Sequence, residues 1–337
     1  MRPTPSGSTV DIGLNAVVLA VEEDTPRVLV VPDDEGKLAL PSGVFDPRVD
    51  RTLNLGLRRW IAEQTGLEVG YIEQLYTFGN RYRDQRELDE GVRMLSIGYL
   101  CLVRDAETIQ ASSARWENVY HFFPWEDWRE GEPRQLRQSI RPWLERWASH
   151  TTSTDTPEAR IMRHAMTFGA DAAAFDHEKV LQRLELMYQV GLVQEAHRDV
   201  RQLPERFAQE LFAWDIQQSE LKAAAQAYGG MPMEMDHRRI LASAIERMRG
   251  KIKYRPLVFE LMPPTFTLSQ LQTVVEALSG VPLHKQNFRR LVASERLVEE
   301  TGLRVAQPRG RPAALYRFRP QVWVERRAPG VGLPKSA

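Results

Sequence analysis

The chain has 337 residues, 42 % hydrophobic and 27 % charged, with 45 basic and 45 acidic side chains that cancel. That length predicts two or three domains, and no apolar run approaches the roughly 18–20 residues of a membrane span. The opening MRPTPSGSTVD lacks the apolar stretch of a secretory leader. The single cysteine, Cys101, excludes an internal disulfide and a cysteine-built zinc site, so a reducing, cytoplasmic setting is expected.

Residues 10–105 read as α/β. VDIGLNAVVLAV and PRVLVVP are β-branched runs joined by a turn-like EEDT. KLALPSGVFDP is a short strand breaking into a Pro/Gly loop, and GLRRWIAEQTGL, 56–67, is an amphipathic helix ending at a glycine. RMLSIGYLCL, 93–102, is a strong strand that buries Cys101 as a bystander thiol. VYHFFPW reads as a further short strand. From about Leu136 to Lys253 the pattern turns helical: IRPWLERWA, HEKVLQRLELMYQV, LPERFAQELFAWDIQ and HRRILASAIERMRGKI carry apolar residues at three- and four-residue spacing. His164, His177, His197 and His237 have no partner at i, i+4, so capping or surface roles are expected rather than metal binding.

The last segment, 254–327, predicts helix, helix and β-hairpin. Thr267 and Gln270 form a capping box. Leu268, Leu271, Val274, Val275 and Leu278 make an apolar stripe, and Gly280 ends the helix. In HKQNFRRLVASE, Phe288, Leu291 and Val292 face inward by spacing. Lys285, Gln286 and Arg289 face outward with Arg290 near the edge, and with Asn287 they are the candidate DNA contacts of this helix. RLVEETGLRV and AALYRF pair across QPRGRP, with Arg309 and Arg311 flanking Gly310. This is the winged helix-turn-helix plan. Between Val281 and Arg327 there are eleven basic and four acidic residues, a difference of +7. Side chains of these types read guanine, adenine and phosphate, so double-stranded DNA is the expected partner.

Residues 41–67 resemble the Nudix box: glycine, five residues, glutamate, seven residues, then Arg-Glu-apolar-x-Glu-Glu-x-Gly-apolar. Arg59, Ile61, Glu63, Gly66 and Leu67 match in register, and Gly43 stands for the first glycine. Trp60 and Gln64 replace two glutamates. Fifteen residues separate Gly43 from Arg59, two more than the family spacing, and Arg51 stands at the earlier glutamate. In that family the carboxylates hold a divalent metal against a diphosphate, which it activates toward water. Glu63 alone supplies one here, so hydrolysis is expected to be lost. Asp84, Glu87 and Glu90 are an alternative source of metal ligands. Arginines can neutralise a diphosphate without metal. Gly43, Arg58, Arg59, Glu63, Phe78, Arg81 and Arg93 are the candidate effector contacts.

Together with DHRRILASAIERMRGKIKYRPLVFELMP, FTLSQLQTVVEALSG, KQNFRRLV and GRPAALYRF, the chain resembles the Nudix-related transcriptional regulators of NAD metabolism, the NrtR type. The expected fold class is α/β plus α: the resemblance implies an N-terminal Nudix-like α/β/α sandwich and a C-terminal winged helix-turn-helix, and the helical middle region, roughly 106–234, is extra to the family's plan. The resemblance also implies a transcriptional regulator that senses ADP-ribose or a related nucleotide and works as a homodimer on DNA; a repressor is the first reading, with activator or repressor left open by the sequence. No catalytic residue, resident metal or cofactor is expected. The boundaries read as a tail to 9, a sensor at 10–135, a helical insertion and connecting helix at 136–253, the winged helix at 254–327 and a tail from 328. A Nudix-type ADP-ribose or nucleoside-diphosphate hydrolase, and a winged module that binds only protein, are the alternative readings.

Overall fold

The computed structural model describes residues 10–32, 36–80, 92–104, 106, 114–150, 156–169, 175–201, 203, 216–253, 255–306 and 311–321. Both tails, almost all of LPERFAQELFAWDIQ, and Arg81, Asp84, Glu87, Glu90 and Arg309 lie outside them.

A mixed sheet forms the centre. Its strands are β1 (Val10–Glu22), β2 (Thr25–Pro32), β3 (Leu38–Ala39), β4 (Ser42–Val44), β5 (Tyr71–Phe78), β6 (Arg93–Leu102) and β7 (Arg115–Asn118). The order is β3-β2-β1-β6-β5, with β4 paired to β1 and β7 to β2. β1 and β6 run parallel in the centre, and the remaining pairs are antiparallel. From Leu14 to Ala20 β1 is buried on both faces, the polar Asn15 included. That explains why this strand reads as a continuous apolar run rather than an alternation.

Helix α1 (Leu53–Thr65) covers one face. It starts three residues earlier than its apolar pattern, because the Thr52 hydroxyl accepts from Leu55 N and caps the first turn. Gly66 ends it at φ 72°, and the Gly66 N–H donates to the Ala62 carbonyl. Leu57 and Ile61 pack on Leu14, Ala16, Val18 and Cys101.

The other face carries α8 (His237–Ile252) and the helices packed around it: α2 (Val119–Phe122), α3 (Arg141–Ala148), α4 (Pro157–Phe168), α5 (Val180–Val190), α6 (Gln194–Val200) and α7 (Gln218–Tyr228). VYHF is thus a helical turn, not a strand, because Asn118 caps it by accepting from Tyr120 N. The strand lies just before it, as β7. Ile240, Leu241, Ala244 and Ile245 of α8 join Val17, Leu100 and Phe78 of the sheet in one core. A Cβ at Gly98 would lie 2.8 Å from Ile240, so the glycine permits the close approach. The helix that sequence assigns to a connecting region therefore forms the second outer layer of the sandwich.

The C-terminal module is α9 (Leu268–Ser279), α10 (Lys285–Ser294) and the antiparallel pair β8 (Val298–Val305) and β9 (Ala313–Phe318), with Phe266 bridged to Tyr316. The capping box at Thr267 and Gln270 is formed in both directions. Leu271, Leu278, Phe288 and Val292 belong to the same core as α8 and the sheet. Leu291, expected to face inward, is exposed, because the helix buries only the Phe288–Val292 edge.

Candidate functional site

On α1 the residues that replace metal ligands have become fasteners. The Trp60 ring lies over Gly43 so closely that a Cβ there would fall 2.0 Å from Cε2. Trp60 Nε1 donates to the Val44 carbonyl at 3.0 Å. The Gln64 amide closes a reciprocal pair with the next strand residue, donating to the Ser42 carbonyl at 2.8 Å and accepting from Ser42 N at 2.9 Å. Arg59 grips the buried Asp50 carboxylate with two bonds, 3.0 and 2.8 Å, and reaches Glu63 at 3.3 Å. The bidentate bond from Arg59 holds the Asp50 carboxyl below its ordinary range and pushes the guanidinium up.

These side chains do not fit a magnesium ion. The position-60 and position-64 groups are an indole and an amide already committed to the β4 backbone, and Glu63 is the one carboxylate left among positions 60, 63 and 64.

The other candidate contacts are dispersed. Arg58 turns to the far side of α1, to Asn54 and to the carbonyls of Val69 and Gly70. Phe78 is buried, with the Arg239 guanidinium 5.0 Å over its ring, so it packs in the core. Arg93 donates to the Gly79 carbonyl at the end of β5. Gly43, Arg59 and Glu63 thus share one face, whereas Arg58, Phe78 and Arg93 do not join it.

The nucleic-acid candidates are brought together. Lys285, Gln286, Asn287, Arg289 and Arg290 are all exposed on α10, opposite buried Phe288 and Val292. Asn287 accepts from Arg290 at 3.3 Å. Arg311 is exposed two residues before β9.

Sequence reading missed the joint between this module and the sheet domain. Glu126 is buried between Arg183 and Arg249, accepting from Arg183 Nη2 at 2.8 Å and Arg249 Nη1 at 2.5 Å. Burial acts to raise the Glu126 carboxyl, but the charges and hydrogen bonds of Arg183 and Arg249 outweigh it and leave the group below its ordinary value. Arg249 also donates Nε to the Leu278 carbonyl at 3.2 Å. Tyr120 Oη donates to Ala277 O at 2.6 Å, and Trp128 N to Gly280 O at 2.7 Å. The C-terminal carbonyls of α9, which no helix can satisfy internally, are therefore met by the sheet domain. Partners 123 residues apart leave no local pattern to read.

The geometry defines a class: a sandwich of the Nudix fold, with Trp60 and Gln64 of α1 bonded to β4, carrying a winged helix docked by one helix end. Residues 258–318 match the family described as the NrtR DNA-binding winged helix domain. The ADPR responsive transcriptional repressor NtrR of Acinetobacter baylyi is 40 % identical over 88 residues, which are 26 % of this chain and 35 % of that protein's length. Shewanella oneidensis NrtR complexed with a 27mer DNA superposes with a TM-score of 0.52 at 22 % identity, over 92 % of this chain and 94 % of that one. A MutT/nudix family protein from Enterococcus faecalis gives 0.51 at 17 %, over 94 % and 90 %. Over its length the chain shares the fold of these structures, and its C-terminal module matches the NrtR winged-helix model over 258–318.

Proposed function

We propose that this protein is a DNA-binding transcriptional repressor whose Nudix-type domain senses an NAD-derived nucleotide such as ADP-ribose. The single observation that carries the reading is the match of 258–318 to the NrtR winged helix, whose α10 exposes five polar or basic side chains between 285 and 290 around the buried Phe288. The relative named for its response to ADPR supplies the effector class. Trp60 and Gln64, tied to the β4 backbone, argue against the hydrolase alternative.

Lys285, Gln286, Asn287, Arg289 and Arg290 are the proposed groove contacts, with Arg309 and Arg311 at phosphates. A homodimer on a two-fold DNA site is part of the proposal. α8 is the mechanical link. It lies on the sheet, and its Arg249 holds α9. A nucleotide shifts DNA affinity only by the difference in its own affinity for the two arrangements of sheet and wing.

The test is an electrophoretic shift on the protein's own upstream DNA, at modest ionic strength, with and without ADP-ribose. A retarded band that ADP-ribose changes supports the reading. Absence of any band, or brisk ADP-ribose turnover with magnesium that Glu63→Gln abolishes, overturns it.

A further inference from the structure

A cavity of about 850 Å³ opens on the side of the sheet away from α1, between the β3 and β7 edge and the helices α6 and α7. Its volume falls in the range of small-molecule sites. Its walls are chemically divided. Leu38, Met231 and Met233 supply an apolar surface, and Arg115, Arg201 and Lys222 supply positive charge. Arg115 is paired with Glu117 at 2.8 Å. Arg201 and Lys222 have no side-chain hydrogen bond or ion pair among the described residues. Both line the same cavity as His197, whose imidazole is held below its ordinary value first by burial and further by the charges of Lys222 and Arg201. Lys37, Arg115, Arg198, Arg201 and Lys222 outnumber the two lining carboxylates, Glu195 and Glu234, which are paired with Arg238 and Lys37, so the wall keeps an excess of positive charge that suits an oligoanion.

The cavity floor is also the anchor of α8. Arg198 donates to the Met233 and Met235 carbonyls, both at 2.9 Å. Glu195 accepts from Met233 N at 3.0 Å and pairs with Arg238, in the first turn of α8, at 3.1 Å. The opposite end of the same helix holds α9 through Arg249.

We propose that this cavity is a binding site for a small phosphorylated molecule carrying an apolar ring, with Arg201 and Lys222 on the phosphates, and that its filling bears on α8. Only this last step rests on the regulatory reading above; the binding itself does not. Methionine suits the ring side because its thioether packs on flat aromatic surfaces.

The test is calorimetric titration of the full-length chain, without DNA, using ADP-ribose, AMP and inorganic pyrophosphate separately. The arms distinguish phosphate alone from phosphate with a base. Arg201→Glu/Lys222→Glu, on two exposed side chains, is compared with the milder Arg201→Gln/Lys222→Gln, and circular dichroism checks both folds. Binding of at least one probe, weakened by about 10- to 100-fold in the Glu pair and less in the Gln pair, supports the site. Binding of none, or binding untouched by both pairs, overturns it. ADP-ribose binding that ignores both pairs but falls in Arg59→Ala places the ligand at the α1 face; the cavity proposal then fails while the regulatory reading stands. For the α8 step, amide exchange across 268–279 is measured with the bound probe: altered protection supports the step, and unchanged protection removes it.

Discussion

Replacing Glu126 by Gln removes the one negative charge between two guanidiniums whose side chains are 0 % and 2 % exposed. The amide keeps the shape and one acceptor, so the perturbation is nearly pure charge. Breaking a buried pair by removing one partner costs about 3–5 kcal/mol, because the charge left behind is neither paired nor hydrated. Here two charges are left, so the upper part of that range is expected, a large share of a typical stability of about 5–15 kcal/mol. For a 337-residue cooperative unit it corresponds to a fall in Tm of roughly 4–7 °C. Urea denaturation followed by tryptophan fluorescence measures the loss, with an unchanged m-value showing that the fold is retained. The pH dependence adds a sign. A carboxyl held below its ordinary 4.5 when folded contributes stability fully present above 4.5 and lost as pH falls through the folded value. The gap between wild type and Glu126→Gln should therefore stay level from pH 7 to 5 and narrow below 4.5. A loss under about 1 kcal/mol at pH 7 would refute the argument that this cluster is desolvated.

Gly43→Ala drives a methyl into the Trp60 ring and should cost about 1–3 kcal/mol by thermal melting, with Trp60→Ala restoring most of it in the double variant. Trp60→Glu/Gln64→Glu returns two carboxylates beside Glu63; manganese should then raise the Tm of the variant and leave the wild type unmoved. Arg289→Ala should weaken binding to the upstream DNA by about 1–3 kcal/mol with relaxed sequence preference, while Arg311→Ala should weaken all sequences alike and lower the salt slope by about one, both read from binding isotherms at several salt concentrations. Burial, then the Arg249 charge, pushes the His177 imidazole down to about 4. Its neutral form contributes stability present above pH 6.5 and lost as pH falls from 6.5 toward 4. The ring is half-exposed, so screening reduces this to on the order of 1 kcal/mol, which His177→Gln should remove in paired denaturation curves at pH 7 and 5.

Features governed by neighbours in the chain were legible beforehand. The capping box at Thr267, the glycine stop at Gly66 and the exposed face of 285–290 depend on spacings of three or four residues, and each is formed as written. The replacement of carboxylates at 60 and 64 was visible too, but not its consequence. That Trp60 would cover Gly43 and Gln64 would pair with Ser42 depends on a loop two residues longer than the family's, whose path no periodicity encodes. β5 escaped notice because YIEQLYTF alternates weakly, its edge position leaving several side chains half in water. α8 was recognised as a helix but not as a layer of the sandwich. Its partners on the sheet lie more than a hundred residues earlier, and only Gly98, a gap in an otherwise apolar strand, hinted that something would approach there. Leu291 misled for a related reason: apolar spacing marks a possible inner face, and the contact made by α10 is narrower than that face.

The docking of α9 by its trailing end bears on how the molecule comes apart. Its last carbonyls are received by Tyr120, Trp128 and Arg249, and its apolar stripe continues the hydrophobic interior beneath α8. A fragment cut near residue 254 would carry off those acceptors bare and uncover part of that interior. The intact chain should consequently melt as one cooperative body, and transplanting the winged helix onto another sensor would require transplanting its socket as well.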